Sequence, residues 1–166
     1  MPYFILYVDD ACIISHSKLT MHVEIKSLQL KYDLTDDGEL QDYLGIQIER
    51  SDDGSITLIQ PRMINRVIDI EGLTSDTHVK THDIPTTHIS NSDSTAQPRI
   101  QTWNYRLTVG CVSYLQAMVR PDIIFYVQQG ARFCNNSTKE HKEAVKHICC
   151  YILKTKSRGL VLKPDI

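Results

Sequence analysis

Residues 4–15 have the sequence FILYVDDACIIS, in which two short apolar runs flank an adjacent pair of carboxylates. The runs are rich in β-branched and aromatic residues, which predicts two strands. The acidic pair marks the point where the chain turns back on itself. The sequence therefore places Asp9 and Asp10 side by side at the end of an apolar β-hairpin.

This acidic pair has two interpretations. Adjacent carboxylates resist shared ionisation unless a positive group joins them, and Mg²⁺ is commonly held by one or two carboxylates together with substrate phosphates. Two such ions about 3.5–4 Å apart are the arrangement used in phosphoryl and nucleotidyl transfer. Alternatively, an Asp-Asp pair is an ordinary turn former whose side chains bond nearby backbone N–H groups. The pair Asp52-Asp53, before Gly54, fits this structural interpretation.

Composition and length describe an ordinary globular chain. The 166 residues are 42% apolar and 23% charged, enough for one core or two small subdomains. No apolar run approaches the roughly 20 residues that span a bilayer, and the N-terminus lacks the pattern of a signal peptide. We therefore expect an intracellular protein without a membrane partner.

Cysteine and histidine patterns argue against disulfides and zinc. The five cysteines form an odd set without Cys-x-x-Cys spacing, so we expect buried, small apolar side chains. His78, His82 and His88 have no paired cysteines at zinc-finger spacing and are interpreted as loop residues.

Charge is distributed unevenly along the chain. Residues 1–60 carry eleven acidic and four basic side chains, whereas residues 138–166 carry three acidic and seven basic ones. This asymmetry is compatible with a metal-binding end and a phosphate-facing end, and equally with a solvated helix face.

The first half of the chain alternates between helical and strand patterns. Ser17 is the expected N-cap of a helix to about residue 32, residues 40–49 form one predicted strand, and residues 55–60 form its partner. Gly45, in the middle of that strand, indicates a bulge or the close approach of a ligand backbone. Pro61 begins a predicted helix that ends near Gly72. On this helix Arg62 and Arg66 face either solvent or phosphates.

The second half is expected to be helical after a polar linker at residues 74–104. Three helices follow: residues 105–119, a helix that begins at Pro121 with Ile123 and Ile124 inward, and a third with Ser137 and Glu140 as its capping box and Gly159 as its stop. The third helix carries three lysines opposite its apolar stripe, for which a solvated face is preferred over duplex contact: Lys139, Lys142 and Lys146. The predicted fold class is α+β.

Taken together, the motifs resemble the reverse transcriptase of copia-type LTR retrotransposons over nearly all of the chain. Each block is weak alone, but the blocks follow the order of that family. They are LYVDD at 6–10, YLGIQI at 43–48, YRxxVGxxxYL at 105–115, RPDI at 120–123, and HxxAxxxIxxYILKT at 141–155 followed by Gly159-Leu160.

The resemblance implies a division into the C-terminal part of the polymerase palm at 1–50, a thumb-like region and linker at 51–104, and a connection at 105–166. It implies that Asp9 and Asp10 bind Mg²⁺, or Mn²⁺ in its place. The implied partners are an RNA or DNA primer–template and a dNTP, in the cytoplasm, a virus-like particle or the nucleus. By the same resemblance, Tyr7 and Val8 lie near the primer end and incoming nucleotide, and Leu44, Gly45 and Ile46 form the primer grip.

The chain also lacks parts of that family's pattern. The family's metal site needs a third carboxylate from an earlier strand, its fingers supply basic residues, and a ribonuclease H domain follows; none of these is in residues 1–166. We therefore expect the fragment to be inactive alone. The alternative is a non-catalytic retroelement remnant that binds nucleic acid or protein. A phospho-acceptor domain is set aside because the helical final third lacks alternating strand–helix units.

Overall fold

The fold is α+β, as predicted. The structure is a computed structural model that describes residues 1–74 and 104–164. It divides into two compact units between Leu44 and Gly45. The division into palm, thumb and connection remains a prediction, and the predicted linker falls almost entirely outside the described residues, as do His78, His82 and His88.

The first unit, residues 1–44, consists of a hairpin, a helix and a short strand. Cys12 is its only buried residue, so this unit has no hydrophobic core of its own. Ser17 caps the helix as predicted, because its side chain accepts the backbone N–H of Thr20 at 3.4 Å. The helix ends at Gln29, earlier than expected. The elements are β1 (Tyr3–Tyr7), β2 (Asp10–Ile14), α1 (Lys18–Gln29) and β3 (Asp42–Tyr43).

The second unit, residues 45–164, packs strands and helices around one core. Three of its strands pair in antiparallel fashion. Leu58, on the middle strand, lies opposite Ile48 of one neighbour and Leu160 of the other. The strands are β4 (Ile46–Arg50), β5 (Ile56–Ile59) and β6 (Leu160–Leu162), and the helices are α2 (Pro61–Glu71), α3 (Tyr105–Met118), α4 (Ile124–Ala131) and α5 (Lys139–Lys154).

Side chains from α2, α3, α4 and α5 form the core of this unit. Ile64 and Val67 of α2 are 1% and 0% exposed, and Leu115 of α3 and Ile152 of α5 are both fully buried. Pro61 occupies the first turn of α2, and Gly72, with φ of +60°, ends it in the left-handed conformation. Both helix signals are therefore confirmed.

Two strand and helix boundaries differ from the sequence-based expectation. Residues 40–49 do not form one strand, because Leu44 and Gly45 have φ of +53° and +76°, the pattern of a type I′ turn. A side chain at Gly45 would meet no atom within 4 Å, so the turn rather than a close approach requires glycine. Pro121 begins a short 3₁₀ segment rather than α4, and Ile124 is 50% exposed instead of inward-facing.

The N-terminus of α5 is capped one residue later than predicted. Thr138 is the N-cap: its backbone N–H donates to Nδ1 of His141 at 3.0 Å, and the His141 N–H donates to its hydroxyl at 3.5 Å. The His141 ring stacks on Phe133 with centroids 4.0 Å apart, which fixes its orientation. Thr138 and His141 therefore form the capping box in place of the predicted Ser137 and Glu140.

Gly159 has a different role from the predicted helix stop. Helix α5 already ends at Lys154, with Thr155 as its C-cap. A Cβ atom on Gly159 would overlap the carbonyl oxygen of Leu58, so only glycine allows the chain to enter β6 against β5. In the described ranges, 1–74 and 104–164, no helix has the length and apolar character needed to cross a membrane.

Candidate functional site

The predicted hairpin is present, and its tip carries the acidic pair. Strands β1 and β2 are antiparallel, and Tyr7 faces Asp10 as the last pair before the loop. The loop is only two residues long, Val8 and Asp9, because the strands' flanking residues are already paired. All four side chains are exposed. The carboxylates are therefore held together at an accessible turn.

The hairpin loop has an unusual backbone conformation. Val8 has φ of +49°, whereas Asp9 is not among the residues with positive φ. Positive φ at the first loop position alone is the type II′ pattern, in which glycine is the usual residue. A β-branched residue there costs about 1–3 kcal/mol, and such strain concentrates at functional sites. The Val8 side chain is 86% exposed, so no core packing compensates for it.

The hairpin supplies ligands of the right kind for Mg²⁺ but not a complete site. Asp9 and Asp10 offer carboxylate oxygens, the donors that this hard cation prefers. In the part of the chain that the structure describes, no group of three or more His, Cys, Asp or Glu residues could hold a metal ion. The pair therefore suits one cation shared with phosphate or water oxygens, and any closed site needs a ligand from elsewhere.

The second acidic turn provides a useful contrast. The carboxylate of Asp53 accepts the backbone N–H and the hydroxyl of Ser55, at 3.0 and 2.6 Å. These hydrogen bonds, with the hydroxyl contributing most, lower the pKa of Asp53. The side chain thus closes the loop between β4 and β5, and the structural interpretation of this pair is confirmed.

The residues assigned to the primer grip lie at the junction of the two units. Leu44 ends the first unit, Gly45 begins the second, and Ile46 starts β4 with its side chain packed against the helical core. Their role, and their place relative to the hairpin, remain predictions.

The predicted phosphate-facing residues all belong to the second unit. Arg62 and Arg66 lie on the exposed side of α2, and Lys139 is exposed in the first turn of α5. Lys142 and Lys146 are half-buried, because they follow the buried His141 and Val145 directly and so flank the apolar stripe instead of lying opposite it. Their long stems can still carry the ammonium groups to solvent.

Net charge separates the two units sharply. Residues 1–44 carry eight acidic and three basic side chains, whereas the described part of the second unit carries eight acidic and thirteen basic ones. The acidic hairpin and the basic helices therefore belong to different bodies, consistent with the asymmetry seen in the sequence.

The sequence-based expectations include residues 120–123 only as a motif block and do not contain the buried arginine network that the structure shows. Arg120 is 1% exposed, and its guanidinium forms a bidentate pair with Asp122 at 2.9 and 2.8 Å. It also donates to the carbonyl and hydroxyl of Thr155, and its charge lies 5.4 Å from the ring centre of Tyr151. The Arg-x-Asp spacing was the available signal. The network joins the end of α3 to the end of α5 and is structural.

The cysteines behave as the sequence predicted. Cys12, Cys111, Cys149 and Cys150 are buried, Cys134 is half-buried, and all five are free thiols. Burial raises the pKa of the Cys149 thiol well above its ordinary value, with a smaller contribution from the Glu71 charge. Such thiols pack as apolar groups and are poor nucleophiles.

Comparisons with known proteins find relatives that are similar to this chain over almost its whole length. It is 30% identical over 161 residues, 97% of its length, to the retrovirus-related Pol polyprotein from transposon RE1 of Arabidopsis thaliana. It is also 30% identical over 162 residues to the retrovirus-related Pol polyprotein from transposon TNT 1-94 of Nicotiana tabacum, with 91% of the chain covered. An uncharacterized mitochondrial protein of Arabidopsis thaliana is 26% identical over 160 residues, and the chain spans 65% of that relative.

The chain corresponds to a small part of the polyproteins, since it spans 11% of the first and 12% of the second. No protein-family model matches the chain. No solved structure matches it either. The chain is therefore similar, at 25–30% identity over most of its length, to a segment of retrovirus-related Pol polyproteins from transposons.

Proposed function

We propose that the chain is a segment of the RNA-directed DNA polymerase of a copia-type retrotransposon, the segment that carries the metal-binding hairpin. The observation that carries this proposal is the pair Asp9 and Asp10, held at the exposed tip of a two-residue hairpin loop. The strained backbone at Val8 supports the proposal. The position favours glycine but carries a β-branched residue, and backbone strain of this kind clusters at functional sites. The names of the polyprotein relatives support a retroelement origin.

In the parent enzyme, Asp9 and Asp10 would hold Mg²⁺, or Mn²⁺ in its place. Such a cation would supply charge neutralisation for nucleotidyl transfer. The two-residue loop keeps both carboxylates at the end of the hairpin, where they are exposed to solvent. By the same proposal, Tyr7 and Val8 would contact the primer end or the incoming dNTP, and Leu44, Gly45 and Ile46 would contact the primer of an RNA or DNA primer–template.

The isolated chain is not expected to polymerise DNA. Two carboxylates are too few to position two metal ions, and the described residues offer no third ligand beside them. Template-directed nucleotide incorporation by the purified chain, lost in Asp9→Asn, would contradict this expectation.

Cation binding at the hairpin can be tested directly with Mn²⁺. Paramagnetic broadening of backbone NMR signals should be strongest for residues 7–11 in the wild-type chain and should be lost in Asp9→Asn and Asp10→Asn. The matched control is Asp52→Asn, which changes the other acidic turn and should leave the broadening of residues 7–11 unchanged. Broadening centred on residues 52–53 instead would refute the assignment.

Catalysis can be tested in a chimera. The aligned 161-residue segment of the transposon RE1 polyprotein is replaced by this chain, and RNA-templated DNA synthesis is measured. The metal ligands contribute several kcal/mol to the transition state, so Asp9→Asn in the chimera should lower the rate at least about a thousandfold, whereas Asp52→Asn should not. An active chimera that is indifferent to Asp9→Asn would refute the proposal.

The excess of basic side chains in the second unit favours a second candidate function, a non-catalytic nucleic-acid-binding remnant. Exposed Arg62, Arg66 and Lys139 are the expected phosphate contacts, with Lys142 and Lys146 beside them. Binding to a primer–template duplex should weaken as salt rises and should survive Asp9→Asn and Asp10→Asn. Salt-dependent duplex binding with no Mn²⁺ response at the hairpin would favour this candidate over the polymerase.

A further inference from the structure

The strand β1 is an exposed, purely apolar edge strand. Its five residues carry no charge and no proline, and their exposed fractions are 71% for Tyr3, 46% for Phe4, 47% for Ile5, 76% for Leu6 and 58% for Tyr7. Within residues 1–74 and 104–164, the sheet that contains β1 has only β2 as a second strand. Long apolar edges of this kind are templates for pairing with another strand.

The register of the hairpin determines which backbone groups of β1 face outward. A two-residue loop makes Tyr7 and Asp10 a hydrogen-bonded pair, so Ile5 and Tyr3 also direct their N–H and C=O groups toward β2. The alternate residues, Phe4 and Leu6, direct theirs away from β2. The open edge of β1 therefore offers two donors and two acceptors to a further strand.

The sequence of β1 is self-complementary. Tyr-Phe-Ile-Leu-Tyr is nearly symmetric about Ile5. In an antiparallel pair of two copies centred on Ile5, Tyr3 faces Tyr7 of the partner copy, and Phe4 faces Leu6 of the partner copy. Phe4 of each copy then exchanges two backbone hydrogen bonds with Leu6 of the other copy, which gives four in total. Phe4 and Leu6 are the residues whose backbone groups face outward. Ile5 meets its own counterpart at the centre, in a closely spaced, non-hydrogen-bonded position.

We propose that this chain forms a two-fold symmetric dimer by pairing β1 with β1 of a second copy, in antiparallel register about Ile5. This two-fold contact is isologous and closes after two copies. It converts two two-stranded hairpins, each marginally stable in water, into one four-stranded sheet. Pro2, which lacks an N–H, ends the ladder opposite Val8 of the partner copy and so limits the register.

The charge distribution favours this edge and this orientation. Antiparallel pairing carries the two hairpin tips to opposite ends of the sheet, so Asp9 and its counterpart lie more than about 20 Å apart, well beyond the screening length of about 8 Å at physiological salt. The β2 edge is a worse candidate, because symmetric pairing about Cys12 would place the Asp10 carboxylate opposite Ile14 within the ladder. A charge in that position is a known device against edge pairing.

The first test measures self-association of the full chain by sedimentation equilibrium from about 1 to 200 µM. The wild type should reach a dimer and no larger species. Leu6→Pro removes one outward N–H per copy, leaves the β1–β2 ladder intact, and should raise the dimer dissociation constant at least about tenfold. The matched control, Ile13→Pro, removes an outward N–H from the β2 edge and should leave the constant unchanged. A monomeric wild type, larger assemblies, or an equal effect of Ile13→Pro would overturn the proposal.

The second test fixes the register and does not depend on how proline is tolerated. In a Cys12→Ala background, Ile5→Cys should form a disulfide between two copies in a glutathione redox buffer, because its Cα atoms lie about 4.5 Å apart across the symmetry axis. Leu6→Cys is the control: its two copies are offset by two residues along the strands, beyond the roughly 7 Å limit for a disulfide. Cross-linking of Leu6→Cys equal to that of Ile5→Cys would overturn the register.

Discussion

Substitution of Arg120 tests whether the buried guanidinium network holds the helical unit together. Arg120→Ala removes a bidentate ion pair to Asp122, two hydrogen bonds to Thr155 and a cation–π contact with Tyr151. Hydrogen bonds to charged groups contribute roughly 1.5–3 kcal/mol each, but they are not additive. Since Asp122 is 36% exposed and is rehydrated when its partner is removed, we expect a loss of about 3 kcal/mol in the free energy of unfolding.

A loss of that size is a large part of the roughly 5–15 kcal/mol that stabilises a typical domain. It is measured by urea denaturation at pH 7, followed by far-UV circular dichroism, because four of the five described helices lie in this unit. The matched control is Arg132→Ala. Arg132 is exposed, donates to Gln129 at 3.1 Å and lies 5.9 Å from the Phe133 ring, so its loss should cost no more than about 1 kcal/mol. Equal effects of the two substitutions, with unchanged m-values, would refute the argument.

Three further predictions concern glycine, backbone strain and pH. Gly159→Ala should lower the free energy of unfolding by about 1–3 kcal/mol in urea denaturation, because the new Cβ meets the β5 backbone. Gly110→Ala, on helix α3, should raise it by up to about 1 kcal/mol, because a Cβ there lies in open space. Val8→Gly should relieve the backbone strain that valine has at this positive φ, and so slow amide hydrogen exchange in the β1–β2 ladder. Faster exchange in the variant would contradict the assignment of strain. Burial raises the pKa of Asp122, but the hydrogen bond and charge of Arg120 outweigh it and leave the pKa below that of an ordinary aspartate. Its stabilisation should therefore be fully present above the pKa of the unfolded chain and be lost as pH falls through the lower pKa of the folded state, and Asp122→Asn should remove that acid dependence of unfolding.

Local signals in the sequence predicted much of the fold. The hairpin followed from two apolar runs around an acidic pair, and the bounds of α2 followed from Pro61 and Gly72. Each of these features depends on residues close together in sequence, whose backbone preferences act without tertiary help. The acidic tip of the candidate site was predictable for the same reason.

Features set by distant contacts or by competing local options were not predictable. Ser137 and Thr138 are both good N-caps, and the choice of Thr138 depends on the stacking of His141 against Phe133. Gly159 owes its role to the carbonyl of Leu58, about a hundred residues earlier in the chain. The positive φ of Val8 contradicts the preference of valine, so no propensity argument could have suggested it.

The two units differ in what they can do alone. The second unit buries its apolar side chains in a core of its own, whereas the first buries only Cys12 fully and presents Asp9 and Asp10 on a hairpin that is marginal by itself. The proposed cation binding at the tip and the proposed pairing at the β1 edge involve different atoms of the same hairpin. Asp9→Asn changes a loop carboxylate and leaves the outward N–H groups of Phe4 and Leu6 untouched, while Leu6→Pro changes the edge and keeps both carboxylates. Each variant therefore tests one proposal and serves as a control for the other, so metal binding and dimerisation can fail independently.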